Sequence, residues 1–179
     1  MKKGSFMERI NRILTDCDYR KYIEKNCAAE EERIFCRHNM EHFLDVARIA
    51  WILNLEEQLG ITKEWIYAAA LLHDIGRHVQ YENGIPHEEA SAQLATAILK
   101  RCGFASEEEA VILEAIRGHR DAASLEAIRG HSDVQNVSSK KDLAAVICRA
   151  DKLSRACYTC PVSEECNWSR EKKNLKLKY

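Results

Sequence analysis

A chain of 179 residues with a formal net charge of −1 is the size of one domain, with room for a sizeable apolar core and no need of disulfide staples. The near-neutral charge excludes a bulk electrostatic pull toward nucleic acid or an acidic membrane, so any phosphate recognition has to be local. Only two prolines and seven glycines interrupt a sequence rich in Ala, Leu, Ile, Glu, Lys and Arg, which predicts an all-α fold.

The stretch Met1-Lys2-Lys3-Gly4-Ser5-Phe6 is positively charged, but Glu8, Arg9 and Asn11 break any apolar run behind it, so no signal peptide is expected. No apolar segment approaches the roughly 18 residues of a membrane span. The expectation is a cytoplasmic protein whose eight cysteines stay reduced. Residues 1–35 read as an N-terminal helical extension, with Ile10, Ile13 and Leu14, then Tyr19, Tyr22 and Ile23, at the spacing of two short helices. From His38 to Leu59 a broad stripe of Phe43, Val46, Ala47, Ile49, Ala50, Ile52 and Leu53 predicts a central helix, with a left-handed cap at Gly60.

Thr62 is the expected N-cap of the next helix, which carries Trp65, Ala68, Ala69 and Leu72 and ends near His73-Asp74-Ile75-Gly76. A loop with Asn83-Gly84 and Pro86 follows. Another helix is expected from His87 to Arg101, stopped by Gly103, and another from Ser106, as cap with Glu109 three residues on, to Arg117. Residues 121–139 are polar and weakly patterned. Lys140 to Tyr158 returns to an apolar pattern and predicts the last long helix, followed by a charged tail from Asn167.

One repeat stands out: Leu113-Glu114-Ala115-Ile116-Arg117-Gly118-His119 recurs twelve residues later as 125–131. On one continuous helix that spacing turns the two histidines roughly 120° apart, so both could not face one site. His119 is preferred as the functional copy because it ends a well-patterned helix, whereas His131 lies in the polar stretch. The two copies are locally identical, and His131 stays open as the alternative.

Chemistry concentrates in His42, His73-Asp74, His87, His119 and Asp151. Neutral imidazoles combined with carboxylates suit zinc, iron or manganese. Adjacent His73 and Asp74 project about 100° apart at a helix end, so one can bind a metal while the other reaches a second. Two divalent ions roughly 3.5 to 4 Å apart can hold a phosphoryl oxygen and bring a water's pKa to about 7.

The segments His42-Phe43-Leu44-Asp45-Val46-Ala47, Leu71-Leu72-His73-Asp74-Ile75-Gly76-Arg77 and Ala150-Asp151-Lys152-Leu153 closely resemble the HD superfamily of phosphohydrolases, whose signature is His, His-Asp, Asp in that order. The resemblance spans residues 37–155 and implies a helical bundle of about six to eight helices, with an HD domain over 36–156 and a Cys-rich tail, 157–179, packed on it. It implies His42, His73, Asp74 and Asp151 as primary ligands of a divalent metal (Mn, Fe, Co, Zn or Mg). His87 and His119 match the extra histidines of members that hold two ions. Arg77 stands where the family commonly has lysine; its planar fork suits two phosphate oxygens. Arg77 and Lys152, with Asp74, are the expected catalytic groups. Arg155 is an added phosphate contact, and Arg117 or Arg120 another. His38, four residues before His42 on the same face, is a substrate-binding candidate or simply a helix-start residue.

Cys157-Tyr158-Thr159-Cys160-Pro161 with Cys166 has the close spacing of thiolate sites. Three thiolates need a fourth ligand, for which Cys36, Cys148 or a partner residue is available; zinc and an iron–sulfur centre are both open, the C-x-x-C-P run leaning to the latter. Otherwise these are reduced cysteines at a helix end, with Pro161 stopping the helix. The expected function is metal-dependent hydrolysis, through activated water, of a small phosphorylated substrate such as a nucleotide, with no membrane or strong nucleic-acid partner and a homodimer left open. A non-catalytic nucleotide-binding regulatory module, and an iron–sulfur or zinc-linked sensor, are the alternatives.

Overall fold

The computed structural model describes residues 7–120 and 139–179. Among these residues there are eight α-helices and no strand: α1 (Glu8–Thr15), α2 (Cys17–Ala29), α3 (Met40–Glu56), α4 (Lys63–Leu72), α5 (Arg77–Asn83), α6 (His87–Cys102), α7 (Ser106–Gly118) and α8 (Ser139–Leu153), followed by a 3₁₀ turn at Cys157–Thr159. The expected helical bundle is therefore observed. No helix among the described residues is long and apolar enough to cross a membrane. The second copy of the repeat, with His131, lies outside the described residues.

Helix α4 sits at the centre. Ile66, Ala68, Ala69, Ala70, Leu71 and Leu72 are all fully buried, the all-round apolar character of a helix enclosed by others. It packs against α3, α7 and α8, while α3 and α7 both pack against α8. Phe43, Val46, Ala47, Ala50 and Leu53 of α3 and Ile112, Ala115 and Ile116 of α7 complete the same core. Ile10, Ile13 and Tyr19 of α1 and α2 belong to that core cluster as well.

Local chemistry sets most boundaries. The Asp16 carboxylate accepts from the N–H groups of Asp18 and Tyr19 at the start of α2, and Asn39 Oδ1 accepts from His42 N–H at 3.0 Å at the start of α3, satisfying donors with no partner inside the helix. Helix α3 stops at Glu56, short of Leu59. Asn54 then holds Ile61 through both its amide oxygen and nitrogen, and Gly60 still takes the left-handed conformation, at φ 69°.

Three further boundaries differ from the sequence expectation. Residues 77–83 form α5 rather than a loop; Asn83-Gly84 ends this helix, with Gly84 left-handed at φ 72°. Tertiary support comes from α2, where Asn26 Oδ1 accepts from His78 N–H at 2.8 Å. Helix α7 is capped one residue earlier than Ser106-Glu109 suggested: Glu108 reaches back to Ala105 N–H at 2.9 Å, and Glu109 is buried instead. The last helix ends at Leu153 and not Tyr158, because Asn174 Nδ2 in the tail donates to the carbonyls of Lys152 and Arg155 that a continuing helix would use.

Arg9 ties α1 to the core. Its guanidinium donates to Glu64 of α4 at 2.8 Å and Glu108 of α7 at 2.6 Å and lies 4.2 Å over the Phe104 ring. The Arg9 hydrogen bond holds Glu108 at about 2; burial opposes this, and Trp65 Nε1–H and Ala105 N–H assist it. A depressed carboxyl stabilises the fold above its unfolded value of 4.5 and loses that contribution as pH falls toward 2. Glu108→Gln is therefore expected to cost about 1–2 kcal/mol at neutral pH. In thermal melts the gap between wild type and variant should close between pH 4.5 and 2; a gap undiminished at pH 2 would reject the assignment.

Gly76 is required for space. A Cβ there would lie 2.5 Å from Ser91 N and 2.7 Å from Ala90 Cβ, because the turn after α4 presses against the first turns of α6 and Gly76 N–H donates to Ser91 Oγ at 2.9 Å. Gly76→Ala should force α6 outward and cost about 1–3 kcal/mol in a urea titration; a midpoint equal to wild type would show that the two turns are not in forced contact.

Candidate metal centre

Helix ends build the site. His42 lies in the first turn of α3 and His87 opens α6, while His73 and His119 are the residues closing α4 and α7, and Asp151 lies in the last turn of α8. His42, His73, His87 and His119 are buried, as is Asp74, which follows His73. His38, just ahead of α3, is buried beside them.

Asp74 is the hub. Its Oδ1 lies 3.0 Å from His87 Nε2 and 3.7 Å from His119 Nε2, while Oδ2 lies 3.3 Å from His73 Nε2 and 3.5 Å from His38 Nε2. Asp151 Oδ1 lies 3.3 Å from His42 Nε2 and 3.9 Å from His73 Nε2. Two sets of potential ligand atoms therefore cluster within 4.8 Å, His42–His73–Asp74–Asp151 and Asp74–His87–His119, with Asp74 common to both.

The outer ring nitrogens fix which way each imidazole faces. His73 Nδ1 donates to Ala70 O at 2.7 Å and His119 Nδ1 to Ile116 O at 2.6 Å. Both acceptors are last-turn carbonyls with no partner inside the helix. His87 Nδ1 faces Gln80 Oε1 at 2.7 Å. His42 Nδ1 faces Ser154 Oγ at 3.1 Å, and that hydroxyl gives its own proton to Asp151 O, so the oxygen is left to accept. With Nδ1–H committed outward, each Nε2 is directed inward, as metal-binding histidines are held.

The inward groups are poorly satisfied by one another. His73 Nε2 and Asp74 Oδ1 are buried with no hydrogen bond, and His87 Nε2 faces His119 Nε2 at 3.3 Å. Two acceptor nitrogens at that distance call for a cation between or beside them. Burial pulls the His73 imidazole down, but Asp74 and Asp151 outweigh it and lift it to about 9; the site holds a proton where positive charge is wanted. Burial lowers His42 to about 4 against the pull of Asp151. Burial would raise Asp74 and Asp151, yet His73 and Arg77 hold the first, and Arg155 with His42 the second, well below the usual carboxylate range. Inward-facing imidazoles, ionised carboxylates and unsatisfied inward atoms fit a divalent metal, which would take the place of the proton on His73.

Arg77 and Arg155 brace the two carboxylates: Arg77 Nε lies 3.1 Å from Asp74 Oδ1, and Arg155 Nη2 donates to Asp151 Oδ1 at 2.7 Å. Lys152 Nζ faces Cys148 Sγ at 3.1 Å. His38 Nδ1 pairs with the buried Glu30, which also accepts from His38 N–H and Tyr81 O–H. Burial alone would raise Glu30, but the partners led by His38 hold it at about 2. A cavity of about 480 Å³ opens beside Asp151, His38 and His119 and is lined by Arg33, Arg77, Arg120, Lys152, Arg155 and Lys173.

Sequence reasoning missed Gln80, Ser154, Glu30 and Asn26, which hold the candidate ligands from behind; Asn26 Nδ2 donates to Asp74 O at 2.8 Å. No local pattern marks them. Cys36, Cys157, Cys160 and Cys166 also line the cavity, but they are not among the tight ligand clusters of the described residues. Those comprise the two sets above and Asp16–Cys17–Asp18, where Asp16 and Asp18 are already engaged by Arg101.

Comparison with known proteins agrees with this geometry. The model of the HD domain family matches residues 39–156. A 46% identical, uncharacterized protein of Clostridium beijerinckii aligns over 97% of this chain and 100% of its own length. Ribonuclease Y 1 of Pediococcus pentosaceus is 34% identical over 84 residues, 46% of this chain but 14% of that protein. The crystal structure of a predicted HD superfamily hydrolase from an uncultured Thermotogales bacterium superposes with a TM-score of 0.55 at 22% identity, covering 86% of this chain and 80% of that one; it shares the fold. With its His, His-Asp and Asp drawn into one buried centre inside the matched segment, the chain belongs to the HD domain family.

Proposed function

We propose that the chain is a metal-dependent phosphohydrolase acting on a small phosphate ester of nucleotide type. The observation that carries this reading is Asp74, shared between two clusters of inward-facing imidazole and carboxylate atoms. His42, His73, Asp74 and Asp151 would hold one divalent ion and Asp74, His87 and His119 a second; such a pair polarises a phosphoryl oxygen and activates water.

The protein's own residues do the rest. Arg77 and Arg155 keep Asp74 and Asp151 ionised and oriented, and both also line the cavity where a phosphate would lie. Lys152 and Arg120 add positive charge to the lining of the same cavity, so a di- or triphosphate is better matched than a monoester. His38, held by Glu30, presents Nε2 toward Asp74 and is assigned to substrate contact. Phe35 and Trp168 give the cavity two aromatic side chains suited to a base.

Wild type and Asp74→Ala should be compared on nucleoside mono-, di- and triphosphates and a short RNA, with Mn, Co, Fe, Mg or Zn added. Metal-dependent turnover is expected, falling about a thousandfold or more in the variant, since several kcal/mol of charge stabilisation is lost. A wild type that binds metal and nucleotide yet turns over nothing would overturn the enzyme reading in favour of a regulatory binding module. Gln80→Ala combined with Glu88→Ala, which removes both partners of His87 Nδ1, at 2.7 and 3.2 Å, should weaken the second ion by about 10–100-fold in a metal titration while the first is retained; equal weakening of both ions would show that His87 does not define a separate site.

A further inference from the structure

The cavity has a second set of chemically capable groups that the hydrolase reading does not use. Cys36 precedes α3, while Cys157, Cys160 and Cys166 follow α8, and all four line the same cavity. They come from segments more than a hundred residues apart in sequence. None is in a disulfide.

The tail holds the cysteine segment in place. Cys157–Thr159 form the 3₁₀ turn, further turns are closed by Cys160 N–H to Cys157 O and Cys166 N–H to Ser163 O, and Lys173 Nζ donates to Ser163 O at 2.6 Å. Asn174 fastens the tail to the end of α8. On the other side, Arg33 Nε holds Cys36 O at 2.8 Å. The thiols are thus presented by pinned backbone.

The four thiols are not gathered tightly enough for a single zinc. Four sulphurs around one zinc, at about 2.3 Å from the metal, sit about 3.8 Å from one another. The four cysteines are not among the groups of described residues whose ligand atoms lie within 4.8 Å. A cubane places its own iron corners between the thiolates and sets them wider apart. It also carries net negative charge, and Arg33, Lys152, Arg155 and Lys173 line the cavity with these cysteines.

We propose that Cys36, Cys157, Cys160 and Cys166 form the four-thiolate site of a [4Fe–4S] cluster in the wall of the cavity that adjoins the His/Asp centre. Loading is a ligand exchange with a preassembled cluster bearing small thiolates. Four bonds from iron to the small thiolates break and four to the cysteines form. The cysteine protons leave on the departing thiols, and no electron is transferred.

The test is anaerobic loading of the full chain with such a cluster, followed by gel filtration and assay of iron, acid-labile sulfide and visible absorption. About four sulfides per chain are expected, with broad visible absorption. Cys36→Ser, Cys157→Ser, Cys160→Ser and Cys166→Ser should each lose the sulfide while keeping a wild-type helical circular dichroism spectrum. Cys27→Ser, on α2 and outside the cavity, and His73→Ala, in the other centre, should keep it. Sulfide rather than activity is the readout, so the outcome is independent of the hydrolase reading. Zinc without sulfide bound by the same cysteines, sulfide retained in Cys36→Ser, or a natively helical wild type that takes up no sulfide would each overturn the proposal.

Discussion

Burial of the Asp74 carboxylate is the constraint around which the other elements are arranged. A carboxylate removed from water and left alone would cost far more than a fold's net stability, or would take up a proton. Here it stays ionised because His73, Arg77 and His38 face it, with His87 and His119 beside Oδ1. Those partners come from α4, α5, α6, α7 and the segment before α3. Five parts of the chain must therefore meet at one oxygen pair, and the helices are laid out to deliver them.

Helix polarity helps. Three helices, α4, α7 and α8, bring their C-terminal ends to the site, where the backbone carries partial negative charge that favours a cation. His73 and His119 close two of them and use last-turn carbonyls, Ala70 O and Ile116 O, as acceptors for Nδ1–H. One interaction thus satisfies a carbonyl that the helix leaves open and sets the tautomer that exposes Nε2. Histidine at a helix C-terminus is both a cap and a candidate ligand here. Gly76, immediately beyond, permits the contact with α6 that brings His87 to Asp74.

The sequence made the candidate ligands legible because they are few, chemically distinctive and fixed in order along amphipathic helices whose period could be counted. His42, His73, Asp74, His87, His119 and Asp151 were all visible in that way, and the structure draws them together. The groups behind them were not visible. Gln80 lies on α5, a helix that Asn83-Gly84 disguised as loop and that is supported from α2 through Asn26. Ser154 works only because α8 ends there, and α8 ends there because Asn174 returns from the tail. Glu30 faces His38 across a turn of eight residues. Each depends on tertiary contact, and a Gln, Ser or Glu on a helix surface has no pattern that separates it from solvated neighbours.

The cavity's charge connects the candidate metal centre with the cysteine segment that lines the same space. Asp74 and Asp151 bring negative charge that Arg77 and Arg155 face directly, so those two arginines are partly committed to the carboxylates. Arg33, Arg120, Lys152 and Lys173 also line the cavity, whose only carboxylate among the described residues is Asp151. Positive charge concentrated in a partly enclosed space attracts an anion from solution more strongly than the same charge spread over a surface. A phosphate beside the His/Asp centre and a negatively charged cluster at the cysteines would each lower that potential. Because both would act on the same cations, occupancy of one would weaken the attraction for the other, a coupling that follows from shared charge and requires no movement of the helices.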